Sequence, residues 1–393
     1  MKVLMVTRET RADQRYGLRR SLSPLVEELQ RRAIRVDYLC QTDLGQHAIS
    51  WQHRLQRLLS SFLIRFRTRT DFAALISGIL ERFNMGRLAA KLAAAHQYTH
   101  VHCHDPLIAA GLRFFLRFHP RCRVAWGVTE HGFGCYAQAI HEDGVRMNQQ
   151  TMRIMRRWEA RILLDASWVI APTRSCLKQI ADDLAISPLP HNWHDVVHAR
   201  PSLNHYSREE ARNRLGWDDT ATYVLSVGRI APVKQFPLLI EACAQLKLAK
   251  DLQLIILGEG DYSTLQQKAR QLGLAREIQF AVTADIGLYL SAADLYVSAS
   301  ASESFGLANL EALTAGIAAV CTAVGGVPEV VGDGAFLVKP DVASLVDGMQ
   351  RMLSDTALRE SIARKGKIRA DTWPAITEIA NRYEIIYRQA AAH

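Results

Sequence analysis

Short apolar runs alternate with longer amphipathic stretches along most of this chain, and this alternation constrains the fold more than any other feature. Runs such as 2–7, 99–104 and 222–227 have the length of buried strands, whereas Leu18–Arg32 and 235–247 carry apolar residues at helical spacing. Strands separated by helices form parallel sheets that are covered on both faces. The sequence therefore predicts an α/β protein built on doubly wound sheets.

The alternation stops at 195–208 and then restarts, which indicates a linker between two domains. The chain has 393 residues, and one hydrophobic core rarely serves a chain of that length. We predict one Rossmann-like domain over 1–195 and a second over 196–373. A final helix is predicted within 374–393. It either returns to the N-terminal domain or packs on the C-terminal one.

The same reading gives the remaining elements. Strands are predicted at 36–40, 123–129, 167–171, 252–257, 277–281, 294–298 and 317–321. Helices are predicted at 50–67, 71–96, 106–118, 146–165, 261–272, 307–315 and 374–390.

Charge and cysteine content restrict the function classes. Residues 1–195 carry 28 lysines and arginines against 17 acids, a net charge of +11, whereas the remainder carries −2. The first half therefore suits an anionic partner.

The seven dispersed cysteines contain no C-x-x-C pair, which argues against a disulfide framework or a structural zinc site and fits the cytoplasm. No apolar stretch reaches about 20 residues, and the first run indicates a buried strand rather than a secretory signal.

Three constellations in the second half carry chemistry. Gly228 and Arg229 end a strand, and Lys234 follows, so that two cations and free amides suit a diphosphate. Glu303 and Glu311 flank Gly306 at the start of a helix. Eight residues of helix rise roughly 12 Å, too far for the carboxylate pair of a retaining glycosidase, so two separate binding roles are favoured. A glycine-rich turn occupies 325–329.

In this order the three constellations resemble the retaining glycosyltransferases of family GT4, which have the GT-B fold. The resemblance runs from 222 to about 340 and implies two facing Rossmann-like domains with a cleft between them. It implies that Arg229 and Lys234, after Gly228, neutralise the donor diphosphate. Glu303 would hold the donor sugar and Glu311 the ribose. The sugar would also meet the amides of Phe305, Gly306 and Leu307. A nucleotide-diphosphate sugar is the implied co-substrate, with no cofactor and no metal.

The first half resembles the family through two landmarks. Gly17, in Arg15-Tyr16-Gly17, stands where relatives have a glycine pair that touches the diphosphate. His131 follows a strand where the family has a histidine near the reacting face of the sugar.

In the second half, Ala281-Val282 replaces a glycine that relatives commonly have near the nucleotide base. His100, His102 and His104 lie on one face of a strand, but such ligands rarely complete a tetrahedron, so we predict no metal there.

Residues 50–69 form an arginine-rich amphipathic segment without acids, which either lies on an anionic bilayer or covers the sheet. Nucleic acid is not favoured as a partner, because no recognition motif or aromatic stacking platform is present.

We expect a metal-independent transferase of lipopolysaccharide, exopolysaccharide or glycolipid synthesis, with a carbohydrate or lipid-linked acceptor and a peripheral position on the inner face of the plasma membrane. A nucleotide-sugar epimerase and a non-catalytic GT-B binding module remain the alternatives.

Overall fold

The computed structural model describes residues 1–8, 18–44, 71–246 and 251–390. They divide into two compact units: the first combines Met1–Val197 with Ile376–His393, and the second is His198–Ala375. Gly17 and the segment 50–69 lie outside the described residues, so the predictions for them stay predictions.

The first unit contains a six-stranded sheet whose strands are all parallel, in the order β2-β1-β3-β4-β5-β6. Its strands are β1 (Lys2–Val6), β2 (Arg35–Leu39), β3 (His100–Cys103), β4 (Ala125–Thr129), β5 (Trp168–Ala171) and β6 (Trp193–Asp195). Its helices are α1 (Leu18–Arg31), α2 (Phe72–His96), α3 (Pro106–Leu116), α4 (Tyr136–Glu142), α5 (Gln149–Asp165) and α6 (Arg174–Asp183), with α15 (Ile376–Ala390) at the end of the chain.

The second unit repeats this plan, with a parallel sheet in the order β12-β11-β10-β7-β8-β9. Its strands are β7 (Thr222–Val227), β8 (Leu252–Leu257), β9 (Ile278–Ala281), β10 (Leu295–Ser298), β11 (Ala319–Thr322) and β12 (Phe336–Val338). Its helices are α7 (Arg208–Leu215), α8 (Phe236–Gln245), α9 (Ser263–Gln271), α10 (Ile286–Ala292), α11 (Leu307–Ala315), α12 (Val327–Val331), α13 (Val342–Ser354) and α14 (Thr356–Asp371).

Burial on both faces explains why β5, β10 and β11 show no regular alternation of polar and apolar residues, and why the histidines that alternate in β3 are buried. All four residues of β3, β5, β10 and β11 are buried, because helices cover both faces of each sheet. Asp105 begins α3 by accepting hydrogen bonds from Leu107 N and Ile108 N, which occupies amides that have no partner within the helix. The predicted doubly wound α/β fold is thus confirmed in both units.

The last helix, α15, packs within the first unit. His100 Nε2 lies 2.8 Å from the Tyr387 carbonyl oxygen, and His102 Nδ1 lies 2.7 Å from the Tyr387 hydroxyl. Arg32, after α1, donates to Thr377 O over 2.6 Å. Tyr387 itself is fully buried, so the helix is anchored through its core-facing side.

Several elements differ from the sequence prediction. Two edge strands, β6 and β12, have three residues each, too few to show a hydrophobic period. The predicted linker 195–208 gives way to α7 from Arg208, after Ser207 caps that helix. Among the described helices, none is both long enough and apolar enough to span a bilayer.

Candidate functional site

The carboxyl edge of the second sheet brings the sequence-predicted residues together. Strands β8, β7, β10 and β11 are neighbours, so the segments that follow them meet at one edge. Gly228 N donates to Leu257 O over 2.9 Å. A Cβ placed on Gly258 would lie 1.7 Å from Gly228 O. Only glycine at 258 therefore allows these two strand ends to approach backbone to backbone.

Lys234 and Glu303 form an ion pair at this edge. A short 3₁₀ turn, Pro232–Lys234, precedes α8 and presents the ammonium group. Lys234 Nζ lies 2.5 Å from Glu303 Oε2, and Ser300 Oγ donates to the same oxygen over 3.2 Å. Both ionic side chains keep about a fifth of their surface exposed. The pair is therefore held in place yet open to a ligand.

Main-chain hydrogen bonds fix the two segments that carry this pair. Ala301 N donates to Val233 O over 2.8 Å, and Gly326 N donates to Glu303 O over 2.8 Å. The glycine-rich turn at 325–329 is thereby attached to the glutamate. Arg369 of α14 donates to the carbonyl oxygens of Glu329 and Val330 and so ties α12 to α14. The carboxylate thus stands on a scaffold of three cross-linked loops.

The start of α11 places backbone, rather than side chains, at the edge. Gly306 has φ +81°, a left-handed conformation that glycine adopts at little cost. Phe305 is buried, and its ring contacts His198 and Trp373 edge to face. Phe305 can therefore offer a ligand only its main chain. The positive end of α11, from Leu307, suits an anionic or hydroxylated group.

Glu311 lies inside α11 and is almost fully buried. The nearby Tyr296 of β10 donates to Asn309 Oδ1 over 3.0 Å. Burial, together with the charges of Glu303 and Glu311, raises the pKa of Tyr296 well above its usual value. The sequence analysis predicted no role for Tyr296 or Asn309. The signal that could have indicated Tyr296 is an aromatic hydroxyl in a strand that ends at the site.

In the first unit, His131 follows β4 and joins a row of histidine rings. His131 Nε2 lies 3.0 Å from His104 Nδ1, and the two rings are stacked. His104 stacks in turn on His102. His102 is fully buried, which lowers its pKa to about 3, and its nitrogens contact Tyr387 and Thr129. His100 and His102 therefore serve packing, as anchors for α15.

The segment 130–136, which carries His131, is fastened by buried acids that the sequence did not reveal. Glu159 of α5 accepts from Tyr136 N over 2.7 Å, and Asp183 accepts from Cys135 N over 2.9 Å. Glu130 is buried close to Glu159, and burial raises its pKa well above the usual value. Burial likewise raises the pKa of Glu159 to about 8. These acids come from separate segments, so only the fold shows that they meet.

Glu159→Gln should reduce the pH dependence of stability. The unfolded pKa is 4.5 and the folded pKa is about 8, so the stability contributed by the protonated group is lost as pH rises through this window. Wild type should lose up to about 1.4 kcal/mol of unfolding free energy per pH unit relative to the variant. Urea unfolding from pH 5 to 8 measures this, with the exposed Glu360→Gln as control. Parallel wild-type and Glu159→Gln profiles would contradict the assignment.

Among the described residues, no group of three or more histidine, cysteine, aspartate or glutamate side chains is arranged to hold a metal ion. The arrangement at the second sheet instead offers Lys234, main-chain amides and a helix N-terminus. Such groups stabilise negative charge that develops on a leaving group. Arg229 follows β7 at the same edge, so its guanidinium group adds a second cation beside the Lys234 ammonium group.

Two family models match the chain. The model for glycosyl transferases group 1 matches residues 207–369, and that for glycosyltransferase family 4 matches residues 16–199. D-inositol 3-phosphate glycosyltransferase of Salinispora arenicola is 28% identical over 346 residues, which cover 81% of this chain and 75% of that protein. N-acetyl-alpha-D-glucosaminyl L-malate synthase of Bacillus anthracis is 26% identical, over 45% of this chain and 48% of its own length.

Solved structures share the fold over nearly the whole chain. Sucrose-phosphate synthase from Thermosynechococcus elongatus superposes with a TM-score of 0.78 at 18% identity, covering 100% of this chain and 99% of its own. WaaG, a glycosyltransferase involved in lipopolysaccharide biosynthesis, gives 0.71 at 18% identity, with 98% and 99% covered. Anabaena HepE in complex with UDP-glucose gives 0.68 at 19% identity, with 100% of both chains covered.

Proposed function

Because the chain belongs to the family 4 glycosyltransferases of the GT-B fold, we propose that it moves a sugar from a nucleotide diphosphate to an acceptor hydroxyl with retention of configuration. The observation that carries the proposal is the Lys234–Glu303 pair at the carboxyl edge of the second sheet. A cation there meets the developing charge of a diphosphate, and the carboxylate beside it accepts hydrogen bonds from sugar hydroxyls.

The proposed roles come from the family resemblance, and the placement of the residues in the second unit supports them. Arg229 and Lys234 neutralise the diphosphate, since both follow β7 at the edge where Gly258 lets the ends of β7 and β8 approach closely. The amides at the start of α11 and Glu303 position the sugar. The family resemblance assigns the ribose to the buried Glu311 and a contact with the donor sugar to His131.

The reaction requires no covalent enzyme intermediate in this proposal. The bond from the anomeric carbon to the diphosphate oxygen breaks as the acceptor oxygen bonds to the same face. The acceptor proton passes to a phosphate oxygen of the departing diphosphate. Lys234 and Arg229 stabilise the negative charge on that leaving group, which is how metal-independent transfer would proceed. Binding orients the acceptor so that its hydroxyl attacks in place of water.

The nature of the neighbours supports the donor and acceptor classes. One solved neighbour is a complex with UDP-glucose, and another acts in lipopolysaccharide biosynthesis. We propose a nucleotide-sugar donor and a carbohydrate or lipid-linked acceptor, used at the inner face of the plasma membrane. A nucleotide-sugar epimerase would release nucleotide diphosphate without acceptor, and a non-catalytic module would release none.

A panel of UDP-, GDP- and ADP-sugars tests the proposal. One nucleotide class should raise the melting temperature of wild type, because a ligand that binds only the folded state stabilises it. With an acceptor, the product should keep the donor's anomeric configuration by NMR, and EDTA should leave the rate unchanged. Inversion, or a trapped glycosyl-enzyme, would contradict the mechanism, and loss of activity in EDTA would contradict metal independence.

A further inference from the structure

Two helices of the first unit, α3 and α5, leave large apolar side chains in water. On α3 and the turn that follows, Phe114 is 45% exposed and Phe118 is 67% exposed, with their ring centroids 5.8 Å apart. On α5, Ile154 is 59% exposed and Leu164 is 53% exposed. Exposed large hydrophobic residues are rare enough among the described side chains that four on neighbouring helices indicate a binding surface.

The same helices carry many arginines and few acids. No aspartate or glutamate occurs between 106 and 129. In α5, Glu159 faces the core, and Asp165 pairs with Arg113 of α3. The exposed cations of this surface are Arg117, Arg121, Arg123, Arg153, Arg157 and Arg161.

Helix α5 carries its exposed groups on one side, next to α3. Helices α3 and α5 pack together, and the Arg113–Asp165 ion pair joins their carboxyl-terminal ends. At 100° per residue, Arg153, Ile154, Arg157, Arg161 and Leu164 fall within an arc of about 100° on α5. Met155, Glu159, Ile162 and Leu163 occupy the opposite, buried side. We define this exposed side of α5, together with the exposed residues 114–123 at the end of the neighbouring α3 and just after it, as the α3–α5 face.

We propose that the α3–α5 face docks on an anionic lipid bilayer, with Phe114, Phe118, Ile154 and Leu164 entering the interface and the arginines meeting lipid phosphates. Interfacial attachment requires this pairing of apolar side chains with a cationic surround. None of its residues belongs to the arginine-rich segment 50–69 or to the set proposed to bind the donor. It supplies a physical attachment for an enzyme whose acceptor is held in a membrane.

Charge and shape favour a bilayer over other occupants. A second copy of this face would bring two arginine-rich surfaces together, and like charges repel. Nucleic acid would engage the arginines, but it gains nothing from exposed Ile154 and Leu164, since it binds by phosphate contacts and base stacking on aromatic rings. Lipid uses both components.

Vesicle co-sedimentation of the full chain tests the proposal. Wild type should bind vesicles that contain phosphatidylglycerol and release them as salt rises, and it should bind pure phosphatidylcholine weakly. The Arg153→Gln, Arg157→Gln, Arg161→Gln triple variant should bind anionic vesicles about 100-fold more weakly, because each arginine contributes about fivefold. Phe114→Ser with Phe118→Ser should weaken binding about tenfold, and that loss should persist at high salt.

Matched substitutions on the second unit provide the controls. Arg270→Gln, Arg276→Gln and Arg364→Gln remove the same charge from exposed positions, and Leu272→Ser with Ile368→Ser removes exposed apolar side chains. These variants should bind as wild type does. Absence of wild-type binding to anionic vesicles would overturn the proposal, as would equal losses in the control and α3–α5 variants. Arginine-dependent binding of an oligonucleotide without binding of vesicles would assign the face to nucleic acid.

Discussion

Lys234→Met should lower kcat/KM for sugar transfer by about 10²- to 10³-fold. The substitution keeps the length of the side chain but removes the ammonium group that lies 2.5 Å from Glu303 Oε2. A preorganised charge at a leaving group is worth this much in the transition state. The variant should also lose most of the thermal stabilisation that the donor gives wild type. Initial rates with saturating acceptor, together with melting curves with donor, measure both effects.

Lys268→Met is the matched control for that experiment. Lys268 of α9 also pairs with a carboxylate, Glu241 of α8, in the same unit. Neither residue belongs to the constellation after β7 and β10, so the control should retain activity within about threefold, as surface substitutions usually do. If Lys234→Met and Lys268→Met have equal activity, the assignment of Lys234 to the diphosphate is wrong.

Gly258→Ala should destabilise the second unit and abolish donor binding. Its methyl group would lie 1.7 Å from the Gly228 carbonyl oxygen, which belongs to backbone and cannot rotate away. Because either β7 or β8 must then shift, we expect a loss of about 3 kcal/mol or more in unfolding free energy. The shift would also displace Arg229, next to Gly228, so donor binding fails even in the fraction that remains folded.

Gly273→Ala separates this clash from the general effect of replacing a glycine. Gly273 has φ +76°, and a Cβ there meets no other described atom within 4 Å. Its replacement should cost about 1–2 kcal/mol through backbone conformation alone and leave donor binding intact. Urea unfolding with and without donor compares the two variants. Equal stability losses, or normal donor binding by Gly258→Ala, would show that the two strand ends need not approach so closely.

The elements that define the candidate site were the most predictable ones. Strands 222–227 and 252–257 and helix 307–315 have the bounds that the sequence indicated. Each is largely apolar and next to a glycine, so periodicity and chain breaks agree. Helices α13 and α14 were missed although Asp341 and Asp355 cap them. A search for capping residues would have found both.

The supporting contacts could not be predicted, because they join residues that are distant in sequence. Glu159 reaches Tyr136 N only after α5 has packed beside the loop that follows β4. Tyr296 meets Asn309 because β10 and α11 adopt one particular spacing. The sequence identified chemical groups such as Lys234 and Glu303. Packing decides which other side chains hold those groups, and a single sequence carries little information about packing.

The contacts of α15 with His100 and His102 also bear on the order in which the chain is made. The second unit, His198–Ala375, is an insertion between two parts of the first. A ribosome therefore releases the whole second unit before the first has received its last helix. The usual sequence, in which the N-terminal domain completes folding first during synthesis, is reversed. Until Tyr387 emerges, the two histidines lack the partners that cover them in the finished unit. Premature termination near residue 375 would accordingly spare the second unit and leave the first with an uncovered, aggregation-prone sheet face.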